Sequence, residues 1–221
     1  MHDPGAVVDA VIFDLDGVLL DSEQVWDEVR EALVREREGR WHDGAQRDMM
    51  GMSSPEWSRY MHDELGLDEA PAEIDAEVVA RMQARYREDL PAVAGAAEAI
   101  GRLAAAFPLG LASSSNRPLI DLALELLGVS ELFRATVSSE EVARGKPAPD
   151  VYLEAARRLG VGPARAAAVE DSHNGILSAK AAGLRVIAVP NAEFPPSDEA
   201  LAVADVVLGS LAELTPEAIR G

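Results

Sequence analysis

The sequence contains no cysteine. That absence excludes disulfides, zinc–thiolate centres and a cysteine nucleophile. No apolar run is long enough to cross a bilayer, and residues 1–20 lack the basic start of a secretory leader. A cytoplasmic protein is therefore expected. Basic residues are scarce as well: 20 Lys and Arg stand against 39 Asp and Glu, a formal charge of −19 over 221 residues. Such a field repels nucleic acid and anionic membranes at long range. It also disfavours a small anionic substrate, unless a metal ion or a local basic group reverses the sign inside the site. A solvated acidic surface accounts for most of the charge. The four histidines (His2, His42, His62 and His173) have no metal-ligand spacing. No internal repeat or low-complexity linker divides the chain.

What is present is a core. Hydrophobic residues make up 48% of the chain, enough for one large domain or for a core with a smaller insert. The run VVDAVIF (7–13) reads as a strand buried on both faces. Similar signals occur before Ser113 (PLGLAS), near Ala135 (ATVSS), before Glu170 (AAAVE), at 185–189 (RVIAV) and at 205–208 (DVVL). Helical stripes lie between them: Ile120, Leu124 and Leu127 before Gly128, and Val151, Ala155 and Leu159 before Gly160. Strands alternating with helices predict an α/β fold, a doubly wound Rossmann-like parallel sheet. From Ser22 to Pro91 the alternation stops. That stretch shows helical patterns only, with a Val25–Val29–Leu33 stripe and further segments near 54–65 and 75–88. It predicts a helical cap of residues 21–91 inserted into a core of 1–20 and 92–221, joined by crossings near Leu20 and Pro91.

The polar residues gather at the expected carboxyl ends of the strands, where such sheets bind ligands. Asp14 and Asp16 follow the first strand, and residues two apart on a strand share a face. Two buried carboxylates so close repel one another unless a cation intervenes. AVEDSHNG (168–175) puts Glu170 and Asp171 at a second strand end, with Ser172 placed to cap the next helix. LASSSN (111–116) puts Ser113 and Ser114 at a third, and GKPAPDVY (145–152) places Lys146 in a proline-stiffened loop.

FDLDGVLLDSE, LASSSN, GKPAPDVY and VEDSHNGILSAKAAG resemble, in order and spacing, the four motifs of the haloacid dehalogenase-like superfamily. The helical insert is similar to that superfamily's C1-type cap, and the branch resembled is that of β-phosphoglucomutase-like and sugar phosphatases. The resemblance implies Mg²⁺ as cofactor and a small phosphorylated metabolite as substrate. Asp14 would be the nucleophile and Asp16 the acid/base. Asp14, Glu170, Asp171 and the Asp16 backbone carbonyl would hold the metal. Ser113 and the Ser114 N–H would hold phosphate oxygens, and Lys146 would neutralise the reacting group. No nucleic acid, membrane or second subunit is implied, so a monomer is expected.

Mutases of this branch place a histidine on the first cap helix and an arginine shortly after a Gly-x-Ser. Here the matching positions are Trp26 and, in GMSS, Ser54. Both departures favour a phosphatase over a mutase, and DSE followed by Trp26 resembles hexose- and hexitol-phosphate phosphatases. Phosphoglycolate or a nucleotide remain alternative substrates, and a silent binding module is opposed by the intact motif set. Glu23, Trp26 and Asn116 are the candidate specificity residues. Each also has a structural reading: Glu23 at a helix N-terminus, Trp26 packed beside the Val25–Val29 stripe, Asn116 as a helix cap. Trp57 and Arg59 read as packing or surface residues.

Overall fold

The computed structural model describes residues 7–50, 52–191 and 195–221. The first apolar run forms β1, Ala10–Phe13, every residue of which is buried. Val11 and Phe13 enter the apolar cluster on one face of the sheet, and Ile12 enters the cluster on the other, as the two-residue period of a strand requires. The chain then makes four helices: α1 (Glu23–Glu36), α2 (Ala45–Met49), α3 (Ser54–Asp63) and α4 (Pro71–Glu88). Alternation follows, with α5 (Ala96–Ala104), β2 (Leu109–Ser113), α6 (Arg117–Leu126), β3 (Phe133–Ser138) and α7 (Asp150–Leu159). The remainder is β4 (Ala166–Glu170), α8 (His173–Ala181), β5 (Arg185–Ala188), α9 (Asp198–Val203), β6 (Val206–Val207) and α10 (Pro216–Arg220).

The strands pair in parallel in the order β3-β2-β1-β4-β5-β6. The order reverses at β1: the chain first moves outward to β3, then crosses back to β4 on the other side. Such a reversal opens a crevice beyond the strand ends. Helices α5 and α6 cover one face with Ile100, Leu103, Leu119 and Ile120; α7 and α8 cover the other with Val151, Tyr152, Ile176 and Ala179. This is the doubly wound α/β sheet predicted.

In the helical segment, Ile74, Val78 and Met82 of α4 pack with Val29 and Leu33 of α1, while Val25 is half-buried. Helix α4 starts at Pro71 rather than near 75, because proline suits a first helical position and Glu73 accepts the Ala70 N–H at 3.1 Å. Helix α2 has only Ala45 and Met49, one turn apart, as its buried apolar pair, too short a stripe to mark it in the sequence. Gly51 of GMSS lies outside the described residues, and Ser54 is buried at the start of α3. The two crossings are hydrogen-bonded to each other: Leu20 bridges Ala92, Asp21 N–H donates to the Pro91 carbonyl (2.7 Å), and Val93 N–H to the Leu19 carbonyl (2.9 Å). Among the described residues, no helix is long and apolar enough to cross a membrane.

Candidate active site

Asp14 is the first residue beyond β1, and its N–H donates to the Val169 carbonyl of β4 at 3.0 Å. The carboxylate is thus pinned between the two central strands. The chain then turns at Gly17, whose φ is +82° and whose Cβ, if present, would lie 1.9 Å from Asp171 Oδ2. Only glycine permits both that backbone and that approach. Asp16 is held by three donors: Ser22 Oγ (2.5 Å) and Trp26 Nε1 (3.4 Å) to Oδ1, and Ser115 Oγ (2.6 Å) to Oδ2. Asp14 and Asp16 line one cavity, as their spacing predicts.

Lys146 reaches in from the loop before α7. Its ammonium lies 2.9 Å from Asp14 Oδ1 and 2.6 Å from Glu170 Oε1, and 5.1 Å from the Tyr152 ring centroid. Both contacts are ion pairs, and that to Glu170 is also a hydrogen bond. Glu170, fully buried, also accepts from Tyr152 OH (2.7 Å), from the Asp171 and Ser172 N–H groups and from Ser172 Oγ. Ser172 caps α8 through Gly175 N–H. A Cβ on Gly175 would fall 1.8 Å from Glu170 Oε1, so the helix can approach this carboxylate only as glycine.

Glu170 therefore has its oxygens occupied, whereas Asp171 Oδ1 is buried without a hydrogen-bond donor and Asp14 Oδ1 meets only the Lys146 ammonium. Burial, with repulsion from Glu170 and Asp16, raises the Asp14 pKa to about 8 against the pull of Lys146. Burial, with repulsion from Glu170 and Asp14, raises Asp171 well above the usual range. Burial works to lower Lys146, but Asp14 and Glu170 outweigh it and the net shift is upward. Oxygens of Asp14, Glu170 and Asp171 lie within 4.8 Å of one another. Hard oxygen donors, mutual repulsion and the unpartnered Asp171 oxygen fit a divalent cation such as Mg²⁺.

The cavity measures about 340 Å³, the lower end of small-molecule sites. Ser114 lines it, but Ser113 does not: its hydroxyl is fully buried and accepts from the Ser115 N–H at 2.9 Å, bracing the loop. Asn116 lines the cavity yet spends its amide on Asp75 of α4 (3.0 Å) and Glu140 (2.9 Å), tying the helical segment to the sheet rather than capping α6. Trp26 both walls the cavity and packs against Trp57. Trp57, expected to serve packing, lines the cavity too, while Arg59 is exposed. Glu23 faces the cavity, with its pKa raised by burial and then by Asp16. Sequence reasoning passed over Ser115, Tyr152, Arg30 and Gln46. Ser115 and Tyr152 stand inside motifs already singled out, and Arg30 is one turn beyond Trp26; Gln46 carries no signal.

The family model described as "haloacid dehalogenase-like hydrolase" matches residues 8–183. Hexitol phosphatase B of Escherichia coli is 33% identical, over 96% of this chain and 96% of its own. CbbY from Rhodobacter sphaeroides, solved in complex with phosphate, has the same fold at a TM-score of 0.86 and 29% identity, covering 96% of this chain and 99% of that one. A mutant of CbbY solved with xylulose-(1,5)bisphosphate gives 0.85 at 28% identity, with the same coverage. With its four motifs converging on one crevice of a doubly wound sheet, the chain belongs to the haloacid dehalogenase-like hydrolases.

Proposed function

We propose that this phosphoric monoester hydrolase is a Mg²⁺-dependent phosphatase of a small sugar or sugar-alcohol phosphate, working through an aspartyl-phosphate at Asp14. The observation that carries the reading is Asp14 itself: a buried carboxylate whose Oδ1 lies 2.9 Å from the Lys146 ammonium, facing the same cavity as Asp16. An Asp14 oxygen attacks phosphorus and the ester P–O bond breaks, while Asp16 gives a proton to the leaving alcohol oxygen. Asp16 then takes a proton from water as that water attacks the aspartyl-phosphate. The bond to Asp14 breaks, and phosphate leaves with both aspartates restored. Lys146 balances the charge that Asp14 shares with the transferring group. Ser113 braces the loop that presents Ser114 to phosphate oxygens. Asp14, Asp171 and the Asp16 carbonyl would hold Mg²⁺, with Glu170 completing the set. That ion, when bound, neutralises the carboxylates and polarises the phosphoryl group. Residues 21–91 act as a cap over the core of 1–20 and 92–221.

Trp26 supports hydrolysis over phosphoryl shuttling. Its indole N–H can only donate and is directed at Asp16, so it cannot relay a proton for a mutase. The test is phosphate release from hexose, hexitol, pentose, glycolate and nucleoside phosphates with Mg²⁺ and with chelator. Metal-dependent release, strongest with a sugar or hexitol ester, is expected. Interconversion of sugar phosphates without release would refute the reading.

Metal binding also has a pH signature. In the metal-free protein the folded-state pKa values of Asp14 and Asp171 are raised. The stability this gives is present below the ordinary carboxylate range and is lost as pH rises through those values, about 8 for Asp14. A divalent cation must displace those protons. Magnesium affinity should therefore rise with pH through about 8, where Asp14 loses its proton. Calorimetry in two buffers of different ionisation heat should show net proton release. Affinity independent of pH would mean that both groups are already ionised.

A further inference from the structure

Across the cavity from the reacting carboxylates stands a polar group that the chemistry above does not use. Arg30 of α1 lines the cavity, 5% exposed, its guanidinium 4.4 Å from the Trp26 ring centroid and 4.9 Å from that of Trp57. It donates from Nη1 to Gln46 Oε1 at 3.1 Å, and its Nε–H meets no acceptor. Gln46 in turn donates from Nε2 to Glu23 Oε2 at 2.9 Å. Only this orientation of the amide satisfies both neighbours, because arginine donates and carboxylate accepts. Gln46 is buried and does not line the cavity, whereas Glu23 and Arg30 do. The cap wall thus shows the substrate a donor and an acceptor, held in place by an amide.

The charges decide what fits there. Burial lowers the Arg30 pKa to about 10, with Glu23 and Asp16 opposing, so the group is a cation at neutral pH. It is already countered by those two carboxylates. A second phosphate would bring further negative charge against Glu23 and Asp16. An apolar tail would leave buried donors and acceptors unpaired, which is costly. Neighbouring hydroxyls, each both donor and acceptor, satisfy Arg30 and Glu23 without adding charge.

We propose that Glu23 and Arg30, positioned by Gln46, read the hydroxyls of a substrate bearing one phosphate on an otherwise uncharged polyol or sugar chain, and disfavour a second phosphate. This rests on the phosphatase reading and adds the residues that choose among esters. The neighbour solved with a bisphosphate makes the distinction a real one for this fold.

The test compares kcat/KM for sorbitol phosphate, phenyl phosphate and fructose bisphosphate on one protein sample, so that a loss common to all esters cancels. The parent should favour sorbitol phosphate over both others. Gln46→Met keeps the side chain's length and removes both contacts. It should lower the sorbitol-to-phenyl ratio by about tenfold or more. Glu23→Gln should raise the bisphosphate-to-sorbitol ratio by about tenfold. A parent that prefers the bisphosphate, or ratios unmoved in both variants, overturns the proposal. If the parent releases phosphate from no ester, the phosphatase reading falls separately. The relay is then judged by calorimetric binding of sorbitol phosphate to Asp14→Asn, with and without Gln46→Met. Binding weakened by about tenfold supports the relay, and equal binding overturns it.

Discussion

Asp14→Asn should reduce phosphate release by at least ~10⁴-fold, the scale of losing a nucleophile, and leave a folded protein. Asparagine has the shape of aspartate but cannot form the acyl-phosphate. Folding should survive because Lys146 keeps its hydrogen bond to Glu170 and one member of a mutually repelling carboxylate group becomes neutral. Above about pH 8, where Asp14 ionises in the metal-free protein, the variant should melt higher than the metal-free parent. Phosphate assays and melting curves at neutral and alkaline pH check both halves. Near-normal, magnesium-dependent turnover would refute Asp14 as nucleophile. Inactivity with a collapsed melting temperature would make the residue's role structural.

Lys146→Met should act on stability first. The ammonium is the one cation lying against both buried Asp14 and buried Glu170 among the described residues. Removing one partner of a buried ionic group leaves charge uncompensated, which costs about 3–5 kcal/mol. Protonation of the carboxylates softens that cost at low pH, so the loss should grow as pH rises. Magnesium should restore part of it by supplying charge at Asp14 and Asp171. Turnover should fall by about 10²–10³-fold even when metal is saturating, the usual cost of removing one electrostatic contact to the transferring group. Denaturant unfolding with and without Mg²⁺ measures the first effect, and steady-state phosphate release the second. Equal stability of variant and parent in chelator would show that the lysine compensates no buried charge.

Much of this arrangement was legible in the order of residues. Strands buried on both faces announce themselves as runs such as AVIF and AAAV, and the carboxylates that follow them announce the strand ends. The helical insert is legible as a stretch in which helical stripes continue and no strand run appears. What escaped is whatever depends on side-chain direction. Ser113 and Ser115 are equivalent in sequence, yet one hydroxyl turns into its own loop and the other reaches Asp16. Asn116 was expected to meet substrate or cap a helix; it lines the cavity, and its amide joins Asp75 to Glu140. Arg30 and Gln46 are sixteen positions apart in the chain, and nothing local in either segment indicates that they meet.

The paired crossings at Leu20 and Ala92 carry a consequence for how such a protein can be rebuilt. Both ends of the helical insert leave the sheet at one seam, with Asp21 N–H and the Pro91 carbonyl 2.7 Å apart. An insert whose ends lie side by side can be lengthened, exchanged or cut out while the strands keep their neighbours, since a short link would rejoin the chain there. If the insert acts as the proposed cap, substrate choice could change at that seam while the strands and their carboxylates stay as they are.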